Sequence, residues 1–316
     1  MSKERIAELL EQYRPGYSLP REFYLDEDIF RADIKAVFET DWIFACSAVE
    51  MPRPGDYITL TVGENPVVVL RNRDGEIAAF HNTCRHRGSV ICQQPQGRVN
   101  RLVCPYHQWV YELDGSLLNA RQMPDEFDRS AHALAPVHVE VVCGMVYICL
   151  ADQPPSLQRF RDGVSPYIAP HMPDRTKVAF TSTIIEEANW KLVIENNREC
   201  YHCAGNHPEL LVTMVDFALP NDPRVSAKLQ CLLDSAILRW QSAGLPYEAA
   251  SGGVEFRCIR LPFNENCVSF TTDGRPGCNK LLGNFTDPDL GSVRMFRVPN
   301  NWNHFLSDHI LHARVL

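Results

Sequence analysis

Two short stretches, Cys84-Arg85-His86-Arg87-Gly88 and Cys104-Pro105-Tyr106-His107, decide the fold of this chain, and 17 residues separate His86 from Cys104. They form Cys-x-His and Cys-x-x-His pairs, each placed where a strand pattern gives way to a loop. Two such loops can present two thiolates and two imidazoles to one centre. Zinc accepts a Cys2His2 set tetrahedrally, but its sites usually pair like with like, as Cys-x-x-Cys with His-x3–5-His. The mixed pairs suit a [2Fe–2S] centre in which two cysteines hold one iron and two histidines hold the other. Neutral imidazoles in place of two thiolates leave such a cluster less negative and raise its potential. A single Cys-x-His would read as an ordinary buried thiol beside a surface histidine; the paired spacing is what separates the two readings.

Around these loops the pattern has a period of two. It predicts strands over 57–62, 66–71, 77–81, 98–103, 109–113, 137–142 and 145–150, with turns at Asp74-Gly75 and Asp114-Gly115. Residues 41–152 therefore read as an all-β domain. Before it, residues 1–40 read as helical, with Ile6, Leu9, Leu10 and Tyr13 at helical spacing, a stop at Pro15-Gly16, and a second helix from Ile29 through Phe38. After it, Pro154-Pro155 opens an irregular joint. The second domain, 153–316, mixes a helical stretch through Leu192, Val193, Tyr201 and Leu210 with strands expected over 178–186, 254–261, 267–272, 281–285, 293–298 and 310–316. The fold class is α+β.

The 316 residues carry 31 Lys+Arg against 39 Asp+Glu, a formal charge of −8, and no basic run that could track a phosphate backbone, so a nucleic-acid partner is not expected. The longest nearly unbroken apolar run, 141–151, falls well short of the ~20 residues a membrane helix needs. The N-terminus has no apolar signal region, so a cytoplasmic setting is expected. In a reducing cytoplasm the 12 cysteines point to metal or catalysis sooner than to disulfides.

A second constellation runs from Glu195 to Pro208. Glu199 and His202 are i,i+3 on one helix face. His202 and His207 are i,i+5, so both reach one metal only if the helix ends or kinks between them, and Gly205-Asn206 with Pro208 supplies that break. Two histidines and a carboxylate on one side of a metal, with open positions opposite, form the non-haem Fe(II) facial triad. On its own Glu-x-x-His-x4-His is a weak motif, since histidines near helix ends are usually caps or surface groups.

Taken together, Cys84 to Gly88, Cys104 to Tyr111 with Asp114-Gly115 behind, and the run from Asn189 to Pro208 resemble the alpha subunits of Rieske-type ring-hydroxylating and demethylating oxygenases. The resemblance spans essentially the whole chain. It implies an all-β Rieske [2Fe–2S] domain (41–152) and a helix-grip-like catalytic domain (153–316), an antiparallel sheet wrapped on helices, with the N-terminal helices (1–40) packed on the catalytic domain. By the same resemblance, Cys84, His86, Cys104 and His107 bind the cluster, and His202 and His207 ligate a mononuclear non-haem Fe(II). Glu199, at a position where the family commonly has Asp, is the acid expected to bridge electrons toward a Rieske histidine of a neighbouring subunit. Gln108 stands where the family more often has Gly.

The third iron ligand of the family, a carboxylate on a later helix, is expected beyond residue 316, the chain being C-terminally truncated relative to the family. Asp287, Asp289 and Asp308 read as solvated turn groups, Asp308 being the alternative ligand. The run 189–203 looks most like the branch that demethylates betaines, glycine betaine and stachydrine (proline betaine). The expected activity is O2-dependent monooxygenation of an N-methyl carbon with release of formaldehyde. A dioxygenase acting on an arene, and a non-catalytic Rieske electron carrier, are the alternatives. No Gly-x-Gly-x-x-Gly follows a strand, so electrons are expected from a separate NAD(P)H-dependent flavin or ferredoxin reductase. A homotrimer is implied by the resemblance. Trp240, Phe263, Phe270, Phe285 and Trp302 are candidates to hold a quaternary ammonium by cation–π attraction. Cys200 and Cys203 flank His202, and the other eight cysteines read as small buried hydrophobes.

Overall fold

The structure is a computed structural model and describes residues 3–200, 202–214 and 227–316. Three short helices come first, α1 (Lys3–Glu11), α2 (Glu22–Leu25) and α3 (Glu27–Asp33), and α3 widens into a π-turn over Ile34–Phe38. Ten strands follow: β1 (Ile43–Ser47), β2 (Asp56–Val62), β3 (Asn65–Arg71), β4 (Ile77–His81), β5 (Gln96–Arg98), β6 (Leu102–Val103), β7 (Val110–Tyr111), β8 (Leu117–Asn119), β9 (Pro136–Val142) and β10 (Met145–Cys149). Helix α4 (Gln158–Ile168) leads to α5 (Trp190–Asn197), α6 (Cys203–Asn206), α7 (Leu210–Thr213) and α8 (Ala227–Ser242). The last strands are β11 (Ala250–Ser251), β12 (Phe256–Leu261), β13 (Ser292–Arg297), β14 (Asn301–Phe305) and β15 (Ile310–Arg314).

A seven-stranded sheet in the order β1-β10-β9-β4-β3-β2-β5 forms the first part, with a small sheet β6-β7-β8 beside it. Alternation in β3 shows how both faces are used. Val68 and Leu70 pack toward Cys84, Cys104 and Trp109, whereas Val67 and Val69 pack with Ile58, Leu60, Val146 and Ile148. The C-terminal part is the antiparallel meander β11-β12-β13-β14-β15, one face of which packs on α4. These two parts share a core: Phe44, Tyr147 and Cys149 meet Phe160, Val164, Phe256, Val293, Met295 and Phe305.

Two buried polar side chains fasten that junction. Arg297, 1% exposed, donates to the carbonyls of Trp42 and, at 2.8 Å, Val298, and pairs with Asp41 at 2.9 Å. Its guanidinium carbon lies 5.7 Å from the Tyr147 ring centre and 5.4 Å from that of Phe160. The Asn300 amide accepts from the Phe44 N–H at 2.9 Å and donates to the Phe44 carbonyl at 3.0 Å, acting as an extra strand rung for β1. The N-terminal helices reach both parts. Phe38 packs edge-on against Trp190 and into the core of the first sheet, and Asp33 pairs with Lys191 on α5.

Several expected elements differ. The strand expected over 98–103 is two strands in different sheets, β5 and β6. Residues 178–186 form no strand, and Phe180, Ile184 and Ile185 are exposed. An alternating pattern becomes a strand only when a neighbour pairs with it, and none among the described residues does. Segments 267–272 and 281–285 are bends and turns without strand pairing. Tyr201, expected within a helix, lies outside the described residues. No helix among them is long and apolar enough to cross a membrane.

Arg297→Met is expected to cost about 2–4 kcal/mol in chemical denaturation, because its bonds to Trp42, Val298 and Asp41 and its contacts with the Tyr147 and Phe160 rings are lost in a buried setting. The exposed Arg98→Met should cost less than about 1 kcal/mol. Equal losses from the two substitutions would show that Arg297 does not hold the junction.

Candidate metal centres

The two Cys-His loops are built as a repeated hairpin. Thr83 pairs with Val90 as an isolated bridge, and Val103 pairs with Val110 at the β6–β7 turn, so each loop spans six residues and opens on its cysteine. The backbone bonds repeat. Cys84 N–H donates to the Ser89 carbonyl at 2.8 Å and Cys104 N–H to that of Trp109 at 2.9 Å. Gly88 N–H donates to the Cys84 carbonyl at 2.9 Å and Gln108 N–H to that of Cys104 at 3.0 Å. Both reversals use left-handed backbone, φ +73° at Gly88 and +59° at Gln108. Glycine adopts that conformation freely and glutamine does so at a cost of about 1 kcal/mol, which gives a physical reason for the glycine expected at position 108. Gln108 is held there by Arg121, which donates to its Oε1 at 3.1 Å.

The loops carry the four candidate ligands to one place. Cys84 and Cys104 are 4% and 2% exposed and belong to one buried cluster. The His86 and His107 rings lie 4.7 Å apart. Burial is graded across the site: thiols inside, His86 half-buried, His107 exposed. An open recess of about 320 Å³ adjoins the imidazole side, lined in part by His86, His107 and Arg121. Trp109 stacks under His86 at 4.8 Å and orients its ring. Desolvation, then the His107 and Arg87 charges, lowers the His86 pKa and favours the neutral imidazole that ligation needs. Buried thiols opposite surface imidazoles fit a cluster with its cysteine-bound iron inside and its histidine-bound iron at the surface.

Tyr111 is a residue that ligand spacing alone does not reveal. Its hydroxyl accepts from the Arg85 N–H at 3.0 Å, which leaves its proton to donate to Cys84 Sγ at 3.3 Å. Such bonds to ligand sulfur tune a cluster's potential.

At the second site, Asn189 caps α5 by accepting from the Lys191 N–H at 3.0 Å, and α5 ends at Asn197. A single turn, α6, separates His202 from His207. His207 leaves the helix with φ −149° and ψ +66°, because Pro208 disfavours helical geometry in the residue before it. The expected break is therefore at His207-Pro208, while Gly205 stays helical. The two rings lie 4.9 Å apart, and the nitrogens of His202 and His207 and the sulfur of Cys203 all fall within 4.8 Å of one another. Glu199 Oε1 is 2.7 Å from His202 Nδ1, which leaves Nε2 free for a metal. The Glu199 side chain is 45% exposed.

Several expectations are corrected here. Cys200 and Cys203 form a disulfide, Cα to Cα 5.1 Å, since the turn between them brings i and i+3 within bonding reach. Cys203 is therefore not a free thiolate. Of the other eight cysteines, Cys231 and Cys278 are exposed and Cys143 and Cys267 half-buried. Asp308 is no solvated turn group: it is 6% exposed, accepts from Ser269 Oγ at 2.9 Å and from the Gly277 N–H at 2.7 Å, and meets His309 at 3.1 Å. Its oxygens are committed to holding the 269–277 loop. Asp289 pairs with Arg239 at 2.8 Å. Among the aromatic candidates, Trp240 is buried with Leu245 and Leu290, and Phe285 packs on His171. Phe263 and Phe270 form an edge-to-face pair at 5.4 Å, joined to the segment behind His207 through the Met214–Phe263 bridge. Trp302 is half-buried opposite Phe296.

Comparison with known proteins agrees with this geometry. Residues 41–139 match the family described as the Rieske [2Fe-2S] domain, and residues 173–315 match the ring hydroxylating alpha subunit (catalytic domain). Over 316 residues, all of this chain and 71% of the relative, it is 45% identical to the glycine betaine monooxygenase oxygenase subunit of Chromohalobacter salexigens. It is 42% identical over 311 residues to the protein of that name from Pseudomonas aeruginosa, covering 98% of this chain and 72% of the relative. A solved quaternary ammonium Rieske monooxygenase superposes with a TM-score of 0.68 at 22% identity, covering 93% of this chain and 69% of that one. Naphthalene 1,2-dioxygenase from Rhodococcus superposes with 0.69 at 21% identity, covering 99% and 71%.

Tyr111→Phe should leave the visible spectrum of the cluster in place and lower its midpoint potential by tens of millivolts, about the ~1 kcal/mol of one hydrogen bond. An unchanged potential would mean that the hydroxyl does not act on the sulfur. Gln108→Gly should raise stability by about 1 kcal/mol in denaturant titrations with the spectrum unaltered. A loss of stability would show that the Arg121 bond outweighs the backbone strain.

Proposed function

This chain belongs to the Rieske-type ring-hydroxylating oxygenase alpha-subunit family, and from that membership we propose that it demethylates glycine betaine by hydroxylating one N-methyl carbon. Identity of 42–45% with glycine betaine monooxygenase oxygenase subunits, along essentially its whole length, carries this reading. An oxygenase of this family is an oxidoreductase with a Rieske [2Fe–2S] cluster and a mononuclear non-haem iron, fed by a separate reductase. The substrate is a small molecule, and a dioxygenase relative, a chlorobenzene dioxygenase alpha subunit, is 33% identical over 60% of this chain against 45% over the whole chain for the glycine betaine enzyme.

Cys84 and Cys104 would hold one iron of the cluster and His86 and His107 the other. His202, through Nε2, and His207 would hold the mononuclear iron. When bound, these groups supply one-electron transfer and O2 activation. The chain's own residues do the rest. Tyr111 steadies the Cys84 sulfur, and Trp109 fixes the plane of His86. Glu199 fixes the His202 tautomer and, being exposed, presents its carboxylate at the surface. That exposure supports the reading in which Glu199 bridges to a Rieske histidine of a neighbouring subunit within a homotrimer, since the His107 side of the first site is also exposed.

The overall reaction consumes O2, two electrons and two protons, leaves one oxygen atom on the methyl carbon as a hydroxymethyl group and releases the other as water. The hydroxyl then loses its proton, the C–N bond breaks with its electron pair going to nitrogen, and formaldehyde leaves with dimethylglycine behind.

With a suitable reductase and NAD(P)H, glycine betaine should yield formaldehyde in proportion to O2 consumed, and naphthalene should yield no diol. Turnover of arenes alone would overturn the substrate assignment. Metal analysis should find two irons and two labile sulfides for the cluster; stoichiometric zinc without sulfide would remove the premise. His202→Ala should abolish formaldehyde release while keeping the Rieske spectrum, and loss of both would mean that the two centres are not independent.

A further inference from the structure

The meander β11–β15 has two faces. The face away from α4 carries two neighbouring rows set by strand register: Arg257, Phe296, Trp302 and Ala313 in one, and Ile259, Arg294, His304 and Leu311 in the next. It is turned toward the second metal site. Arg198, the residue that ends α5 and precedes Glu199, lies with its guanidinium carbon 5.2 Å from the Phe296 ring centre. Arg257 is the cross-strand neighbour of Phe296. Two cations thus meet on one aromatic side chain.

Such a pair is unfavourable unless an anion joins it, because like charges at short range repel and burial strengthens the repulsion. Burial first, and then the Arg198 charge beside it, lowers the Arg257 pKa. Among the described residues neither Arg198 nor Arg257 forms an ion pair with a carboxylate, whereas Arg297, on the opposite face, has Asp41 and Glu255. Two guanidinium forks set side by side match the four acceptor positions of one carboxylate. Phe296 and Trp302 are cross-strand neighbours in the same row, and aromatic rings attract a quaternary ammonium.

We propose that Arg198 and Arg257 form a clamp for the substrate carboxylate and that this clamp selects betaines over choline. The inference rests on the reading of the chain as a betaine oxygenase, and it names the part of the substrate that the site distinguishes. Glycine betaine has a carboxylate where choline has a neutral hydroxymethyl group, while the trimethylammonium ends are the same. A site holding only the ammonium would take both; a site holding the carboxylate as well favours the zwitterion.

Calorimetric binding to the purified, cluster-containing protein tests this with glycine betaine and choline as probes. The wild-type protein should bind glycine betaine at least about tenfold more tightly than choline, the value of one charge-assisted hydrogen bond or more. Arg257→Gln should weaken glycine betaine by about 10- to 100-fold and leave choline within about twofold, with the Rieske spectrum reporting an intact fold. Arg257→Lys should restore part of the loss, and Arg198→Gln should repeat it. In turnover the effect should fall on KM, with kcat nearly unchanged. Unaltered glycine betaine affinity in Arg257→Gln, or an equal loss for choline, overturns the clamp and leaves the substrate assignment standing. A wild-type protein that takes choline or an arene in place of glycine betaine overturns both.

Discussion

Arg297 is a buried cation shared by the two halves of the chain, and the relative position of everything else follows from it. Its strand, β13, belongs to the C-terminal meander, yet its guanidinium bonds to the backbone of Trp42 and to Asp41 at the entry to the first sheet, and lies over Tyr147 and Phe160. A charge removed from water this completely is tolerated when donors find acceptors and a countercharge is close; Nη1 and Nη2 of Arg297 meet carbonyls and Asp41, while Nε has no partner. Those conditions are satisfied in one arrangement of the two sheets. Asn300, three residues on, adds two further bonds to Phe44. The apolar core around them would tolerate small slips between the sheets; the directional bonds of Arg297 and Asn300 do not.

A second constraint acts on α5. α5 is held at its start by Asn189 and along its length by the N-terminal segment, through Asp33 on Lys191, Phe38 on Trp190 and the Tyr24 hydroxyl on Glu195 at 3.0 Å. Phe38 also packs into the first sheet. The N-terminal helices therefore connect the sheet that carries the two Cys-His loops to the helix that leads into Glu199. They act as a brace between the two centres, which reaches further than the packing on the catalytic domain alone that the family resemblance implies.

The first candidate centre was legible because its candidate ligands are chemically distinctive and local: two six-residue hairpins contain all four, and each hairpin closes on its own backbone bonds. Tyr111 was not, since a tyrosine in a strand is ordinary until its hydroxyl is seen on the Cys84 sulfur. At the second centre the sequence located both histidines and the need for a helix break, which it assigned to Gly205-Asn206 together with Pro208; Pro208 acts, through His207, while Gly205 and Asn206 stay helical. The carboxylates were misread for a different reason. Asp308 sits in a Ser-Asp-His stretch that looks like a surface turn, and only its tertiary partners Ser269 and Gly277 explain its burial. Strand expectations failed where pattern outran pairing, as at 178–186. The Cys200–Cys203 bond escaped because compartment arguments speak to the whole chain, whereas bond formation depends on one turn.

Charge on the two faces of the meander shows how one sheet serves both structure and recognition. On the α4 face, Arg297 is compensated by Asp41 and Glu255 and tied to carbonyls; its charge has been used up within the fold. On the opposite face, Arg257 and Arg198 converge on Phe296 with no acid among the described residues to offset them. Strand alternation makes this division inexpensive in sequence terms, because consecutive positions on β12 and β13 point to opposite sides. Replacing a compensated arginine disturbs folding, whereas replacing an uncompensated one relieves repulsion in the free protein and is felt when an anion arrives. The same residue type on the same sheet thus has opposite energetic signs, and the sign is set by which face the register assigns it.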